Sequence, residues 1–460
     1  MLNYLLRRTL LMIPTLFGIT LVVFAVMAAS PGGLTVSTLV DGMNLDPEGR
    51  QALEDYYNQR YGLDQPAPVQ YLRWLNNISP IGFERQADGT LGGFSLWKGV
   101  DLGTSFRYGR PVTALIAERL PITLLLNLLS IPLVYGAAIA IGVQAARSHG
   151  GRFDVASNLV LLALWSVPTM LAGVLFIGFF ASEQYWRWFP TGGVGRREAL
   201  DQTWLPWFAS FSDVLLLLAA VALVLGVLVW AAVRAPDAVR RAVFLLLGAI
   251  LGYGMAADLQ GLVPGILHVV LAVIGATLLA GIARLPGTAL RLALVVPLAI
   301  GVGTGLARWA GAELIQGGYL LDRVWHLVLP VIALSYGGLA FLAKLTRTSL
   351  LENLAADYAR TARAKGVDEE TVLWRHVFRN SLLPLITVSA TLLPSLLAGS
   401  VIVESIFSIN GMGKLAVEAV QMRDRELVLS ITLVSGLLTL AGYLLADIAY
   451  AVADPRVSYE

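Results

Sequence analysis

Ten stretches of the chain, at residues 9–29, 122–145, 155–181, 213–233, 242–258, 263–283, 292–310, 327–343, 384–403 and 428–448, are apolar over about the length that crosses a bilayer. A hydrocarbon core of about 30 Å offers backbone amides no water, so a crossing segment must satisfy its own peptide groups, which takes about 20 apolar residues in a helix. The expected fold class is therefore an all-α polytopic membrane protein. Composition agrees, with 57% of the 460 residues hydrophobic, 14% charged and a mean hydropathy of +0.70, unlike an ordinary soluble domain.

The same composition narrows the function. A net charge of +2 gives no basic field for nucleic acid, and the absence of cysteine removes disulfides, redox dithiols and thiolate metal sites. His149, His268, His326 and His376 are far apart and none forms an HExxH pattern. No metal ligands or catalytic residues are predicted. Ionisable residues inside the apolar stretches are scarce, which disfavours an intramembrane enzyme. An ion-driven secondary transporter would show inverted repeats with broken, charged helices, and no such repeat is visible.

Basic residues set the expected orientation. Arg7, Arg8, Arg147, Arg152, Arg234, Arg240, Arg241, Arg284, Arg291, the run from Lys344 to Arg379, and Arg456 fall on one side of the ten-span arrangement and outnumber those in the short loops opposite. The positive-inside rule makes that side, with both termini, cytoplasmic. The first stretch exceeds the usual 7 to 15 apolar residues of a secretory signal and is expected to stay as a helix, residues 1–29. Residues 30–121 then form a small extracytoplasmic lobe punctuated by turn signals such as Gly62-Leu63-Asp64-Gln65-Pro66.

The polar segment 344–380 is expected to hold two helices on the inner face. The first continues from the preceding span and ends at Arg363 and Lys365 before Gly366, with basic side chains at the negative helix end and glycine at the left-handed position. The second opens with Asp368, Glu369 and Glu370, closes with Arg375, His376 and Arg379, and Pro384 starts the next span. A reader helix for DNA, built from residues 357–379, is ruled out by the short tether to membrane on both sides.

Asp357-Tyr358-Ala359-Arg360-Thr361-Ala362-Arg363-Ala364-Lys365-Gly366, followed by Arg375-His376-Val377-Phe378-Arg379-Asn380-Ser381-Leu382-Leu383-Pro384, resembles the cytoplasmic loop of binding-protein-dependent ABC permeases, in the variant of dipeptide and oligopeptide importers. Arg360-Thr361-Ala362 stands where the wider family has Glu-Ala-Ala, a departure typical of the peptide branch. Tyr4-Leu5-Leu6-Arg7-Arg8, Asp101-Leu102-Gly103-Thr104-Ser105, Phe189-Pro190-Thr191-Gly192-Gly193 and Asp454-Pro455-Arg456 are similar to the same family. Glu404 through Gly413, with Asn410 in a usual proline position, is most similar to the Yej-type subunits for oligopeptides and peptide antibiotics.

The resemblance implies a six-span type I importer core, at 122–212 and 311–460 beside the first helix, with residues 213–310 as four inserted helices. It implies a permease subunit of the bacterial inner membrane, working by alternating access and without cofactor of its own. ATP and magnesium would bind a separate cytoplasmic ABC ATPase, consistent with the lack of a phosphate-binding loop here. A homologous second permease, an extracytoplasmic substrate-binding protein and the lipid bilayer complete the implied partners, and nucleic acid is not among them. The coupling helix would be Arg360, Thr361, Ala362, Arg363, Ala364, Lys365, Gly366 and Val367. Ala362, Ala364 and Val367 are small or apolar enough to enter a groove, and Arg360, Arg363 and Lys365 could pair with acidic neighbours. Asn127, Ser130, Ser335, Ser395 and Ser400 could line the path, though helix-to-helix hydrogen bonding is the commoner role of such residues in a bundle. Nickel and glutathione importers share the fold, which leaves the cargo open. Gly248-x-x-x-Gly252 and Gly301-x-x-x-Gly305 are weak signals of close packing.

Overall fold

A computed structural model describes residues 2–30, 46–61, 64–85, 91–205, 210–257, 266–285, 288–311 and 318–453. The motif pieces Gly62-Leu63 and Asp454-Pro455-Arg456, and the cytoplasmic placement of Arg456, lie outside them. The predicted intervals fall on helices α1 (Leu2–Ala29), α4 (Val112–Arg147), α5 (Arg152–Ser166) with α6 (Thr169–Phe180), α7 (Phe211–Val233), α8 (Asp237–Ala257), α9 (Ile266–Ala283), α10 (Thr288–Trp309), α11 (Tyr319–Ala355), α13 (Arg379–Ile406) and α15 (Arg425–Ala453). Among the described residues, 7 helices are long and apolar enough to cross a membrane alone, and α9 is a shorter apolar helix. The 28-residue α13 spans about 42 Å at 1.5 Å per residue.

The predicted third span is not continuous: α5 and α6 meet at 96°. Pro168 pushes Val167 into an extended conformation (φ −85, ψ 120), which ends α5. The Tyr336 hydroxyl of α11 donates to the freed Val167 carbonyl at 2.6 Å, so the break leaves that acceptor satisfied.

The chain divides into two compact units, with α4 and α13 contributing to both. In the unit formed by 1–125, 386–401 and 410–460, α1 runs beside α15, and Arg8 pairs with Asp447 at 2.9 Å. The described part of the lobe is α2 (Pro47–Tyr61), α3 (Ala67–Ile78) and the antiparallel hairpin of β1 (Gly82–Arg85) and β2 (Leu91–Ser95). Its base joins α14 (Met412–Gln421) and α15 through a core of Leu102, Val112, Leu115, Met412, Leu415 and Leu427. Three consecutive charged residues are buried at that base. Asp424 accepts from the Ser105 hydroxyl and the Leu427 N–H, while Arg425 pairs with Glu426 and donates to Gln70 at 2.8 Å. Burial pushes the Asp424 carboxyl above the usual aspartate range, against the lowering effect of its hydrogen bonds.

In the unit formed by 126–385 and 402–409, the inserted helices pair as α8 with α9 and α7 with α10. Gly248 and Gly252 do pack closely: a Cβ on them would sit 2.2 Å from the Gly275 carbonyl oxygen and 2.0 Å from that of Leu271. Gly301 and Gly305 face open space, and on α10 it is Gly303 that approaches Val221. Arg240 and Arg291 donate to the last-turn carbonyls of Ala283 and Ala232, capping α9 and α7. The flanks of the insertion are hydrogen-bonded to each other, Tyr319 N–H to Thr203 carbonyl at 3.0 Å and Leu320 N–H to Trp204 carbonyl at 3.1 Å. The insertion therefore leaves and re-enters the core at one point.

Candidate coupling site and family

The 344–380 segment departs from the expected two helices at both ends. α11 does not run on to Gly366 but stops at Ala355, because Ala356 is extended (φ −68, ψ 153), and a separate helix α12 (Asp357–Ala364) follows. After Gly366 the chain does restart at Asp368, whose carboxylate accepts from the Thr371 N–H at 2.9 Å. That bond holds the Asp368 carboxyl below the usual range. The second helix does not close at Arg379: a short turn, Glu369–Thr371, widens into a π-helical turn, Val372–Phe378, and runs directly into α13, which carries Pro384 as its sixth residue.

The end of α12 is a Schellman cap. Gly366 has φ +78, its N–H donates to the Arg363 carbonyl at 2.9 Å, and the Val367 N–H donates to the Ala362 carbonyl at 3.2 Å. Val367 then packs on a core of Val143, Leu350, Ala359, Ala362, Val372 and Val377. The inner face of α12 is thereby committed to this chain. Ala362, expected to enter a partner's groove, is buried in that core, and Val367 is partly so. Arg363, expected to meet an acidic partner, donates instead to Glu369 at 2.8 Å and to the Leu354 carbonyl at 3.1 Å, tying α12 to the end of α11.

The outer face is what remains for a partner. Tyr358, Arg360, Thr361, Ala364, Lys365 and Gly366 are exposed, and Arg360 pairs with Asp357 in solvent. Two ion pairs frame this knob. Arg147 at the end of α4 meets Glu370, which also accepts from Trp374 Nε1 at 3.0 Å. Arg347 of α11 grips Asp154 of α5 in a two-pronged contact along one guanidinium edge, through Nε and Nη2, the Nη2 contact being 2.7 Å. The sequence analysis used Arg147 and Arg347 as orientation charges and did not single out Asp154. Partners 193 residues apart leave no local signal.

Asn127, Ser130, Ser335 and Ser400 are buried, and the Ser130 and Ser335 hydroxyls lack hydrogen-bond partners among the described residues. Ordinary helix-to-helix bonding therefore does not account for those two. The side chain of Ser395 lies outside the described residues.

Comparison with known proteins gives the same placement. Residues 138–459 match the family described as "Binding-protein-dependent transport system inner membrane component", and residues 1–127 match its N-terminal companion. The chain is 30% identical over 459 aligned residues to the oligopeptide transport system permease protein AppB of Bacillus subtilis, covering 99% of each. It is 25% identical over 494 aligned residues to the inner membrane ABC transporter permease protein YejB of Escherichia coli O157:H7, covering 99% of each. To the di/tripeptide transport system permease protein DppB of Pseudomonas aeruginosa it is 28% identical, covering 100% of each. This multi-pass chain, with the capped helix α12 between two apolar helices, belongs to the binding-protein-dependent transport system inner membrane component family.

Proposed function

We propose that the chain is the permease subunit of an ATP-driven importer of peptides. The observation that carries the reading is α12, a short helix whose inner face is fixed by Ala362, Val367 and Arg363 while its outer face stands free beside two spans. Such a knob can receive a push from a cytoplasmic ABC ATPase and pass it to α11 and α13 as a rigid piece. Alternating access then rocks these helices against those of a second permease, and a binding protein delivers cargo from outside. ATP and magnesium belong to the ATPase. Relatives named for oligopeptides and di/tripeptides support peptides over nickel or glutathione. The test is uptake in vesicles holding this chain, its partner permease, the ATPases and the loaded binding protein. ATP-dependent accumulation of a labelled oligopeptide is expected, whereas uptake that follows an imposed ion gradient without ATP overturns the reading.

The orientation follows with both termini and α12 cytoplasmic and the lobe outside. With no native thiol, single cysteines report this directly. A cysteine at Glu84 is expected to react with an impermeant maleimide in intact spheroplasts and one at Thr361 only after lysis. The reverse pattern inverts the topology.

Residues 213–310 are proposed to be an accessory module outside the transport path. Because Thr203 and Trp204 already bond Tyr319 and Leu320, removing the insertion and closing the gap with a short glycine linker leaves the core's connections in place. The truncated complex should retain uptake within a few-fold of the full chain. Complete loss in a fully assembled complex would place the insertion in the path or the coupling.

A further inference from the structure

The lobe carries an exposed apolar surface well apart in sequence from the coupling helix α12. In the hairpin, Phe83 pairs with Phe94 and Gly82 with Ser95. Strand alternation therefore puts Ile81, Phe83, Phe94 and Leu96 on one face and Gly82 and Ser95 on the other. The Asn76 side chain of α3 bonds the Phe83 backbone from the glycine side, and a Cβ on Gly82 would sit 2.5 Å from its Oδ1. The apolar face thus points away from the protein. Ile81 is 50% exposed, Phe94 62%, Leu96 73% and the adjoining Trp97 85%.

The depth of α3 identifies what covers this face. Counting inward from Ala29 at 1.5 Å per residue, Phe24 lies about 7 to 8 Å and Phe17 about 18 Å below the end of α1. With Arg8 at the opposite edge, the 20 residues 9–28 between Arg8 and Ala29 fill the roughly 30 Å of hydrocarbon, so these are depths within the bilayer. The Tyr71 ring of α3 packs on both Phe17 and Phe24, and its hydroxyl lies 2.9 Å from the Thr20 hydroxyl. α3 is therefore lodged at the level of the leaflet beside the C-terminal half of α1. Its last residue, Ile78, still packs in the cluster around Phe24. Three residues span at most about 11 Å of chain, so Ile81, where the hairpin begins, lies no higher than the interfacial zone, which adds roughly 5 to 8 Å beyond the hydrocarbon. The exposed face of α1, including Val22 and Val26, is lipid-facing at the same height.

We propose that the hairpin face, with Trp97 at its edge, is seated in the headgroup and acyl boundary of that leaflet, so that the lobe is a monotopic lipid anchor. Aromatic side chains with a polar margin are the residues that favour this layer.

The test uses the full chain in lipid nanodiscs with single cysteines at Phe94, Leu96 or Glu84, each carrying an environment-sensitive fluorophore. Glu84 reports the opposite face. Lipids spin-labelled near the headgroup should quench the Phe94 and Leu96 probes several-fold more than the Glu84 probe. Equal, weak quenching at all three sites overturns the proposal. Weak lipid quenching together with shielding from aqueous iodide that appears only when a partner permease or binding protein is added assigns the face to a protein partner and also overturns it. Leu96 lies outside the Phe83–Phe94 ring pair, so its probe reports even if the Phe94 variant disturbs the hairpin.

Discussion

Gly366→Val is expected to remove most stimulation of ATP hydrolysis by loaded binding protein while the complex still assembles in the membrane. The residue sits at φ +78, where a side chain with a β-carbon costs about 1 to 2 kcal/mol and a β-branched one at least that. Among the described residues no atom lies within 4 Å of a Cβ built there, so the cost is backbone strain and not collision. Relief of that strain rotates Val367 and breaks its bond to the Ala362 carbonyl, freeing α12 from the core it shares with Val372 and Val377. Gly366→Asn should be far milder, since asparagine tolerates the left-handed region and has room. Arg360→Glu acts by another route: it leaves the cap intact, breaks the solvent pair with Asp357 and reverses charge on the exposed face. Its effect should grow at low ionic strength, as expected for a surface charge meeting a partner. ATPase assays on reconstituted complexes at matched assembly separate the cases. Full stimulation in Gly366→Val and Arg360→Glu alike removes this loop from coupling.

The sequence made the Gly366 end of α12 readable because its signals are local: two basic residues, then glycine, then Asp368 as the next cap. The start of α12 was not readable. Ala355 and Ala356 are strong helix formers, and the break between them and Asp357 comes from packing of Ala359 and Ala362 against Val143 and Leu350, a tertiary effect that overrides propensity. The stop assigned at Arg379 failed for a different reason. Basic residues there satisfy both a helix end and the cytoplasmic edge of a membrane span, so their charge could not distinguish an end from a continuation. Pro168 was a visible break inside an apolar stretch, yet hydropathy alone averages over it and returns one straight span. The assignment of outward-facing roles to Ala362 and Arg363 failed because an eight-residue helix shows residues on all sides in sequence. Only the position of the core decides which side is free.

The largest stability effect is expected at Arg347 and Asp154, and it should be asymmetric. Asp154 is held by the Nε and Nη2 hydrogens of Arg347 and by the Gly150 N–H at 2.9 Å, with its side chain 4% exposed against 24% for Arg347. Removing one member of a buried pair costs about 3 to 5 kcal/mol when the other charge is left without water. Arg347→Leu leaves Asp154 in that condition, and the one backbone bond does not replace two charged contacts. His149 lies 3.6 Å from the Asp154 carboxylate and is largely exposed, so it offers a partial charge partner only when protonated. Asp154→Leu leaves Arg347, whose long stem can carry its head to solvent, and should cost clearly less. The double substitution to leucine should recover most of the loss, because no charge then remains buried. Unfolding of the purified chain in detergent, followed by circular dichroism across all four forms, gives the coupling energy directly. A loss in Arg347→Leu no larger than in Asp154→Leu means that water reaches Asp154 once the arginine is gone. The pair then acts as an interfacial contact worth about 1 kcal/mol or less, and the frame that holds α11 beside α5 must rest on apolar packing and the Tyr336 bond to Val167.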